Sequence, residues 1–419
     1  MVNQEINTYM FDFIKSVCEE IGPRESGTEE ELKAGNMVEE EFKKFCDNTQ
    51  QENYKSNPRA FLGGIRYGSI IILVSIIFYW LSLIIDLGIL TMNPIFSFIF
   101  IGIAVVFQII TVSYFILEVM RYHEVFDFLF PERESKNVIG IINPDEPIEN
   151  ILIFSAHHDS AYEFNLFYYL KRFGQITIFI GYAGVAVLFI VSIIKFILQI
   201  FSITSPLVFF IFGIFFFAIA PINFLYIFFH SYNSVPGAFD NLSGVAILLG
   251  IGRLLAEDKK LGEKFPKKTQ VMLISFAGEE AGLRGAKRYL KRHKEELTKN
   301  NVKMVNMDSI AESGKVIFVD KEPLIGAKHD PEIYIKLSKI AKDMGLEAKI
   351  GSLPFGATDA AAFSKGGVSA TTISDLDLED ELAPYYHTRE DTPEVIDKKA
   401  LGQVVQICVE YIKYIDSNN

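Results

Sequence analysis

Hydrophobic residues form four long uninterrupted runs in this chain. They are residues 67–85, the part of 87–117 that follows Pro94, residues 173–194, and a Phe-rich run within 196–239, and none of them contains Asp, Glu, Lys or Arg. A helix needs about 20 apolar residues to cross a bilayer core of roughly 30 Å, and each run meets that length. Buried core helices are usually shorter and carry polar residues on one face. The pattern therefore predicts four transmembrane helices.

Short links pair these spans into two hairpins, because residues 87–94 and 196–205 are too few to form a domain between them. The predicted division is residues 1–66, a first hairpin at 67–118, residues 119–172, a second hairpin at 173–229, and residues 230–419. The three parts outside the hairpins are then expected to lie on a single side of the membrane.

Basic residues near the span ends indicate which side that is. Loops rich in Lys and Arg stay in the cytoplasm. The large-domain side has Lys55, Arg59, Arg66, Arg121, Lys171 and Arg172, and the far side has Lys195. We therefore expect a multi-pass membrane protein whose large domain is cytoplasmic. The span interiors carry no charge, which argues against an ion-coupled transporter.

Outside the spans, short apolar runs alternate with helical periodicity. Strands are predicted at 138–145, 151–156, 271–278, 302–308, 315–320, 348–352 and 369–374, with the first two adjacent in the sheet. Helices are predicted after Asn241, at 281–297, at 331–344 and from Pro393 to Ile415. Strands alternating with helices predict an α/β domain with a mostly parallel sheet covered on both faces. In such sheets functional residues gather at the carboxyl ends of the strands.

Composition narrows the function classes. Half of the residues are hydrophobic and 37 are Phe, which are concentrated in a few runs, so the excess is local and supports membrane spans. The net charge of -12 argues against a nucleic-acid partner, which would require clustered Lys and Arg. The three cysteines, Cys18, Cys46 and Cys408, are far apart, which excludes a disulfide framework and a Cys-based zinc finger.

Five clusters of acidic and histidine residues fall where predicted strands end or helices begin. They read AHHDS (156–160), GAFDNLSG (237–244), GEEAGLRGA (278–286), NMD (306–308) and YHTREDTPE (386–394). Each cluster alone has an ordinary explanation, such as a surface pair, a helix N-cap or an acidic first turn. The order and spacing of all five together are not explained by these ordinary roles.

Together the five clusters resemble the zinc aminopeptidases of the bacterial leucyl aminopeptidase, glutamate carboxypeptidase and transferrin-receptor group. The segments EEIGPRESGTEEE (19–31) and GATDAAAFSKGGVSATTI (356–373) also resemble that family. The resemblance implies a three-layer α/β/α metallopeptidase domain, here interrupted by the two hairpins. The departure is the second hairpin, which lies between His157 and Asp240, where soluble relatives have a short loop.

The resemblance implies two zinc ions, with cobalt or manganese as alternatives. One ion would be held by His157, Asp240 and Asp308. The other would be held by Glu280, His387 and the same Asp240, whose carboxylate would bridge the pair. Nitrogen and oxygen ligands of this kind suit zinc.

Further roles follow from the same resemblance. Glu279 would act as general base, Asp159 would orient the imidazole of His157, and Tyr386 would donate to the oxyanion. His158, the variable position of its motif, is expected to face away from the metals. The peptide after the bridging aspartate is often cis in this family, so a cis Asp240–Asn241 bond is expected.

The expected function is removal of N-terminal residues from peptides. Alternatives are an amidase for lipid-linked or N-acyl amino acid substrates, a non-catalytic binding scaffold, and glutaminyl-cyclase-like acyl transfer on a single zinc. The fourth span ends about ten residues before Asp240, which favours hydrophobic substrates that arrive from the bilayer over a purely anchoring role. Side-chain preference, exo- versus endo-cleavage and oligomeric state are not encoded in any motif.

Overall fold

The computed structural model describes residues 2–261, 265–376 and 384–417, and it divides into two compact units. The α/β unit comprises Met1–Pro58, Phe130–Glu163 and Tyr232–Asn419, and the helical unit comprises Arg59–Leu129 and Phe164–Ser231. The helical unit is therefore inserted twice into the sequence of the α/β unit, at the two places where the hydrophobic runs occur.

The described residues form twelve α-helices and nine strands. The helices are α1 (Gln4–Glu20), α2 (Glu29–Phe42), α3 (Ala60–Asp86), α4 (Pro94–Tyr114), α5 (Asn165–Leu170), α6 (Arg172–Ile200), α7 (Pro206–Leu225), α8 (Ser243–Lys260), α9 (Arg284–Lys299), α10 (Pro331–Asp343), α11 (Asp359–Gly366) and α12 (Lys398–Ser417). The strands are β1 (Asn48–Ser56), β2 (Arg133–Ile142), β3 (Asn150–His157), β4 (Thr269–Phe276), β5 (Lys303–Met307), β6 (Lys315–Glu322), β7 (Ala327–Lys328), β8 (Glu347–Ser352) and β9 (Ser369–Ser374).

All nine strands form one sheet, in the order β1-β2-β4-β3-β5-β9-β6-β7, with β8 also paired to β6. The four central strands, β4, β3, β5 and β9, are mutually parallel. The pairs β1–β2, β2–β4, β6–β7 and β6–β9 are antiparallel. The α/β class is confirmed, but the sheet is parallel at its centre and largely antiparallel toward both edges, rather than mostly parallel throughout.

The prediction that the first two strands are adjacent in the sheet is wrong. The runs at 138–145 and 151–156 form β2 and β3, but β4 lies between them and pairs with both. A short link between two strands predicts a hairpin only when no third strand competes for the gap. Here β4 fills it with Val271 and Leu273, which are fully buried.

Helices pack on both faces of the sheet because side chains alternate along each strand. On β4, Val271 and Leu273 belong to the large core shared with α1, α2, α8, α10 and α12. Phe276 points to the other face, where its ring contacts Tyr289 of α9 and Phe363 of α11. Helix α8 sits so close to the sheet that a Cβ at Gly244 would lie 2.6 Å from the carbonyl oxygen of Met307.

The helical unit has its own apolar core, made by Ile72, Tyr79, Leu188 and Phe216 among others. Its outward surface is apolar as well; Phe217, for example, is 72% exposed. A water-soluble helix bundle does not present continuous apolar surface of this kind, whereas lipid-facing helices do. Helix α4 continues as π-helical turns from Phe115 to Met120.

Five helices among the described residues are long and apolar enough to cross a membrane. Four contain the predicted spans, namely Ala60–Asp86, Pro94–Met120, Arg172–Ile200 and Pro206–Phe228. The fifth, Ala238–Lys260, includes α8 and is 94% buried in its most apolar window. Its apolar residues are accounted for by the core of the α/β unit, so length and hydropathy alone do not make it a span.

The helical unit also contains a buried charged pair. Lys195 of α6 donates to Asp86 at the end of α3 and, at 2.6 Å, to the hydroxyl of Ser82. Ser97 of α4 donates to the other oxygen of Asp86 at 2.6 Å, and Gln199 also donates to this carboxylate. The charge-free runs end just before these two residues, but α3 includes Asp86 as its last residue and α6 continues past Lys195 to Ile200.

Candidate metal centre

Three of the predicted ligand motifs meet at one edge of the sheet. His157 is the last residue of β3, Glu279 and Glu280 follow β4, and Asp308 follows β5. These strands are adjacent and parallel, so their carboxyl ends lie side by side. Asp240 reaches the same place from the turn before α8.

Asp240 lies between the two histidines. Its Oδ1 is 3.2 Å from Nε2 of His157, and its Oδ2 is 3.1 Å from Nε2 of His387. The two oxygens of one carboxylate therefore face two different imidazoles. This is the arrangement required of a carboxylate that bridges two cations.

The remaining acidic groups surround this bridge. Oδ2 of Asp308 and Oε2 of Glu279 lie 4.0 and 3.8 Å from Nε2 of His157. Oε1 of Glu280 lies 3.4 Å from Nε2 of His387. The structure thus brings together all of the predicted ligands and the predicted base.

Donor atoms fall into two overlapping groups, each within 4.8 Å. One joins His157, Asp240 and Glu280, and the other joins His157, Glu279 and Asp308. These groups differ from the two predicted ligand sets, and His387 is in neither of them. The donors share one small volume, so distance alone does not divide them between two ions. The assignment of each ligand to one of two ions therefore remains a prediction.

The electrostatics fit a cation-binding site. Burial raises the pKa of Asp308 to about 7, and the charge of Asp240 adds to the effect. Burial raises the pKa values of Glu279 and Glu280 well above their usual range, and neighbouring carboxylates contribute. Nε2 of His157 and Oε1 of Glu280 are buried and make no hydrogen bond. Crowded carboxylates and unpaired imidazole nitrogen are what divalent cations stabilise, and this donor set suits zinc.

The turn that carries Asp240 has an unusual backbone. Gly237 has φ +64°, and the Asp240–Asn241 peptide bond is cis, as the family resemblance led us to expect. The carboxylate of Asp391 accepts hydrogen bonds from the backbone N–H groups of Phe239 and Asp240. Asn241 donates to the carbonyl of Met307 at 2.9 Å, which ties the turn to the end of β5.

Asp159 connects the histidine motif to the glutamate motif. Its Oδ1 lies 3.4 Å from Nδ1 of His157 and accepts from the N–H of Glu279 at 3.2 Å. Its Oδ2 accepts from the N–H of Glu280 at 3.1 Å and from the hydroxyl of Ser26 at 2.6 Å. Burial alone would raise the pKa of Asp159, but hydrogen bonds, above all with His157, hold it below its usual value.

Tyr386 and His158 occupy different positions relative to the cluster. The ring of Tyr386 stacks on His387 at a centroid distance of 4.0 Å. Burial, followed by the charges of Asp240 and Glu280, raises the pKa of Tyr386 well above its usual value, so its hydroxyl keeps its proton. His158 contacts Ser275 and Glu31 instead, so it lies away from the ligands, as expected.

Sequence reasoning gave no role to three residues that hold the site in place. Arg24 and Ser26 belong to the 19–31 segment, and Asp391 belongs to the YHTREDTPE motif. All three are at least 95% buried. Both segments carry the family resemblance, but the partners of these side chains are distant in sequence and leave no local pattern.

Comparison with known proteins locates the similarity. Residues 226–412 match the model of "Peptidase family M28". Aminopeptidase YwaD of Bacillus subtilis is 28% identical over 178 residues, which are 41% of this chain and 37% of that protein. A "Probable zinc metalloprotease" of Pyrenophora tritici-repentis is 38% identical over 78 residues, 19% of this chain and 16% of that protein. The matched region thus covers little more than a third of the length of aminopeptidase YwaD.

Solved structures share the fold over nearly the whole chain. A zinc aminopeptidase from Bacillus subtilis aligns with a TM-score of 0.56 at 15% identity, covering 98% of this chain and 95% of that one. A glutaminyl cyclase from Bacteroides thetaiotaomicron aligns with a TM-score of 0.56 at 15% identity, covering 98% and 99%. At this identity the likeness establishes the fold and does not separate the two activities.

Proposed function

We propose, from the match of residues 226–412 to peptidase family M28, that the chain is a membrane-bound, dinuclear zinc aminopeptidase. Its reaction would be hydrolysis of the first peptide bond of a substrate with a free N-terminal amine. The alternative amidase activity uses the same hydrolytic chemistry on acylated substrates and differs only in what the pocket accepts.

The position of Asp240 is the observation that carries the proposal. A mononuclear site needs one cluster of ligands, but here the two carboxylate oxygens face His157 and His387 separately. His157, Asp240 and Asp308 would hold one ion, and Asp240, Glu280 and His387 the other. This favours hydrolysis with two metals over the single-zinc cyclase alternative.

Zinc at such a site polarises a carbonyl oxygen and lowers the pKa of water from 15.7 to about 7. The proton lost by this water would be transferred to Glu279, whose Oε2 is 3.8 Å from Nε2 of His157. In the metal-free site, burial and acidic neighbours raise the pKa of Glu279. With zinc bound, its carboxylate would accept a proton from water and return it to the leaving amine.

Two further side chains support this step. Asp159 fixes the ring of His157 and, through the N–H of Glu279, the backbone of the base. Tyr386 stacks on His387 and keeps its hydroxyl protonated, which supports the proposal that it donates to the carbonyl oxygen as negative charge develops there.

The helical unit makes the enzyme an integral membrane protein with four spans in two hairpins. Its apolar outer surface supports contact with lipid, and the basic residues near the span ends support a cytoplasmic α/β unit. The last apolar helix ends at Phe228, 12 residues before Asp240. Hydrophobic peptides are accordingly the proposed substrate class.

A panel of fluorogenic amides tests the activity. The protein in lipid nanodiscs with zinc is assayed on aminoacyl, short-peptide and N-acyl substrates, beside Glu279→Gln. Hydrolysis of free-amine substrates that is lost in the variant supports the aminopeptidase. Cleavage confined to N-acyl or long hydrophobic amides replaces it with the amidase alternative. Binding of two zinc ions without cleavage of any substrate contradicts the enzymatic proposal and favours a binding scaffold.

A further inference from the structure

Arg24 is a fully buried cation that contacts four backbone carbonyls. Its Nε donates to His158 at 2.8 Å, Nη1 donates to Gly22 and Pro236 at 2.7 Å each, and Nη2 donates to Gly237 at 3.0 Å. Within the described part of the chain it makes no ion pair with a carboxylate. A guanidinium presents its donors in a fixed plane, so contacts in several directions fix the spacing of their acceptors.

These acceptors lie next to metal ligands. His158 directly follows His157, and Pro236 and Gly237 begin the turn that ends at Asp240. One side chain therefore joins the strand end that supplies the first imidazole to the turn that supplies the bridging carboxylate. The fit is tight, because a Cβ at Gly237 would lie 2.8 Å from Nη2 of Arg24 and 2.6 Å from Cβ of Ser160.

Asp391 binds the Asp240 turn through backbone N–H groups, whereas Arg24 binds it through carbonyl oxygens. Arg24 binds carbonyl oxygens at the start of the turn, whereas the carboxylate of Asp391 binds the N–H groups of Phe239 and Asp240. The donors of Arg24 and the acceptor oxygens of Asp391 thus bind consecutive peptide units. Removal of either leaves buried backbone groups without partners, and such groups are costly.

Ser26 extends the same segment to the glutamates. Its hydroxyl donates to Oδ2 of Asp159 at 2.6 Å, and that oxygen also accepts from the N–H of Glu280. The backbone of Arg24 exchanges hydrogen bonds with Ser160, through the hydroxyl at 2.8 Å and the N–H at 3.0 Å. Residues 24–26 therefore contact the supports of the histidine, aspartate and glutamate ligands at once.

A purely structural role for Arg24 would be to end helix α1. Only the bond to Gly22 fits that role, since the other three acceptors are more than 130 positions away in sequence. An uncharged side chain would cap the helix without the cost of burying a charge. The distribution of the contacts points to the metal centre instead.

We propose that Arg24 and Ser26 are positioning residues of the metal centre, which set the spacing of His157, Asp240 and the glutamate pair without touching a metal ion. The proposal rests on the proposed dinuclear site. It assigns a role in metal affinity to a segment that precedes the first hairpin in sequence. Supporting groups around metal ligands typically contribute 10–100-fold to affinity.

Zinc affinity, measured without reference to activity, tests this. Metal-free protein in nanodiscs is titrated with zinc against a competing chelator for wild type, Arg24→Lys, Arg24→Gln and Ser26→Ala. We expect about 10-fold weaker binding for Arg24→Lys, up to about 100-fold for Arg24→Gln, and a several-fold loss for Ser26→Ala. The visible spectrum of the cobalt-loaded protein should change in the Arg24 variants, because the ligand geometry differs.

Arg253→Lys is the matched control, because Arg253 of α8 is partly buried and pairs with Glu5 and Glu257, neither of which is a predicted ligand or adjoins one in the sequence. It should bind zinc like the wild type. Folded Arg24 variants with wild-type zinc affinity and an unchanged cobalt spectrum would overturn the proposal. If neither Arg24 variant folds, wild-type affinity in Ser26→Ala does the same. If the wild type itself takes up no zinc, the proposed function fails rather than this inference.

Discussion

Asp240 is the residue on which the two-metal proposal depends, because its oxygens face different histidines. Asp240→Asn keeps the size of the side chain but replaces one oxygen with a donor nitrogen, which cannot bind a cation. We expect zinc content to fall from two ions per chain to one or fewer, measured by elemental analysis after gel filtration. Asp343→Asn, at the exposed end of α10, should retain both ions. Two ions in Asp240→Asn would contradict a bridging carboxylate.

Neighbouring glutamates with different roles offer a second test. Glu279→Gln removes the proposed proton acceptor and should lower kcat by about 10²–10⁴-fold with both zinc ions retained. Glu280→Gln removes a proposed ligand and should lower zinc content instead. The contrast matters because Glu279 also lies in a group of donors with His157 and Asp308. Loss of zinc in Glu279→Gln would make it a ligand and require another base.

The site residues were predictable from sequence to the extent that each sits in a motif at a strand end. His157, Glu279 and Asp308 follow apolar strands, and parallel strands bring such positions together. Arg24 and Asp391 were not predictable as supports, because both act on backbone groups, which have no signature in the sequence. Their significance comes from contacts across more than 130 positions.

Close approach of a helix to the sheet positions the Asp240 turn. At Gly244 an added Cβ would lie 2.5 Å from Oδ1 of Asn241 and 2.6 Å from the carbonyl of Met307. Gly244→Ala should therefore push α8 from the sheet and destabilise the α/β unit by about 1–3 kcal/mol, as measured by chemical denaturation. Gly351→Ala on β8 is the matched control, since its nearest atoms would lie at 3.8 Å. Equal stability of the two variants would contradict this packing argument.

The ion pair between Lys195 and Asp86 joins the two hairpins of the helical unit. Breaking a buried pair typically costs about 3–5 kcal/mol, whereas replacement of both partners by apolar groups is often neutral. Lys195→Met should thus lower the melting temperature, and Asp86→Leu combined with Lys195→Met should recover most of it. Trp80 is the one tryptophan of the chain and lies in α3, so its fluorescence reports on this unit. A double variant less stable than Lys195→Met would show that the pair is not the link.

At the level of elements, apolar runs predicted the helices and central strands but not the order of all strands. Strand β1 is too polar to be recognised, since its sequence is NTQQENYKS, and it forms only by pairing with β2 at the sheet edge. Helix α8 shows the converse difficulty. It has the length and hydropathy of a span, yet its apolar residues pack inside the α/β unit.

For the whole molecule, the hairpin arrangement requires that every segment of the α/β unit be on one side of the membrane. The sequence of that unit is interrupted twice, and each interruption contains two long apolar helices. An even number of crossings returns the chain to its starting side. The orientation depends on basic residues, and Lys195 bears on it little because it is paired with Asp86 inside the bundle.

Cysteine labelling in intact cells tests this topology directly. In a background without Cys18, Cys46 and Cys408, single cysteines are placed at Thr91 and Thr204, the exposed links within the hairpins, and at Thr298 on α9. A membrane-impermeant maleimide should label positions 91 and 204 from outside and position 298 only after lysis. The opposite pattern would retain the hairpins and invert the orientation, which would place the metal centre outside the cell. Labelling of positions 91 and 298 from the same side would contradict the hairpins themselves, because one crossing separates a link from the α/β unit and places the two on opposite sides of the membrane.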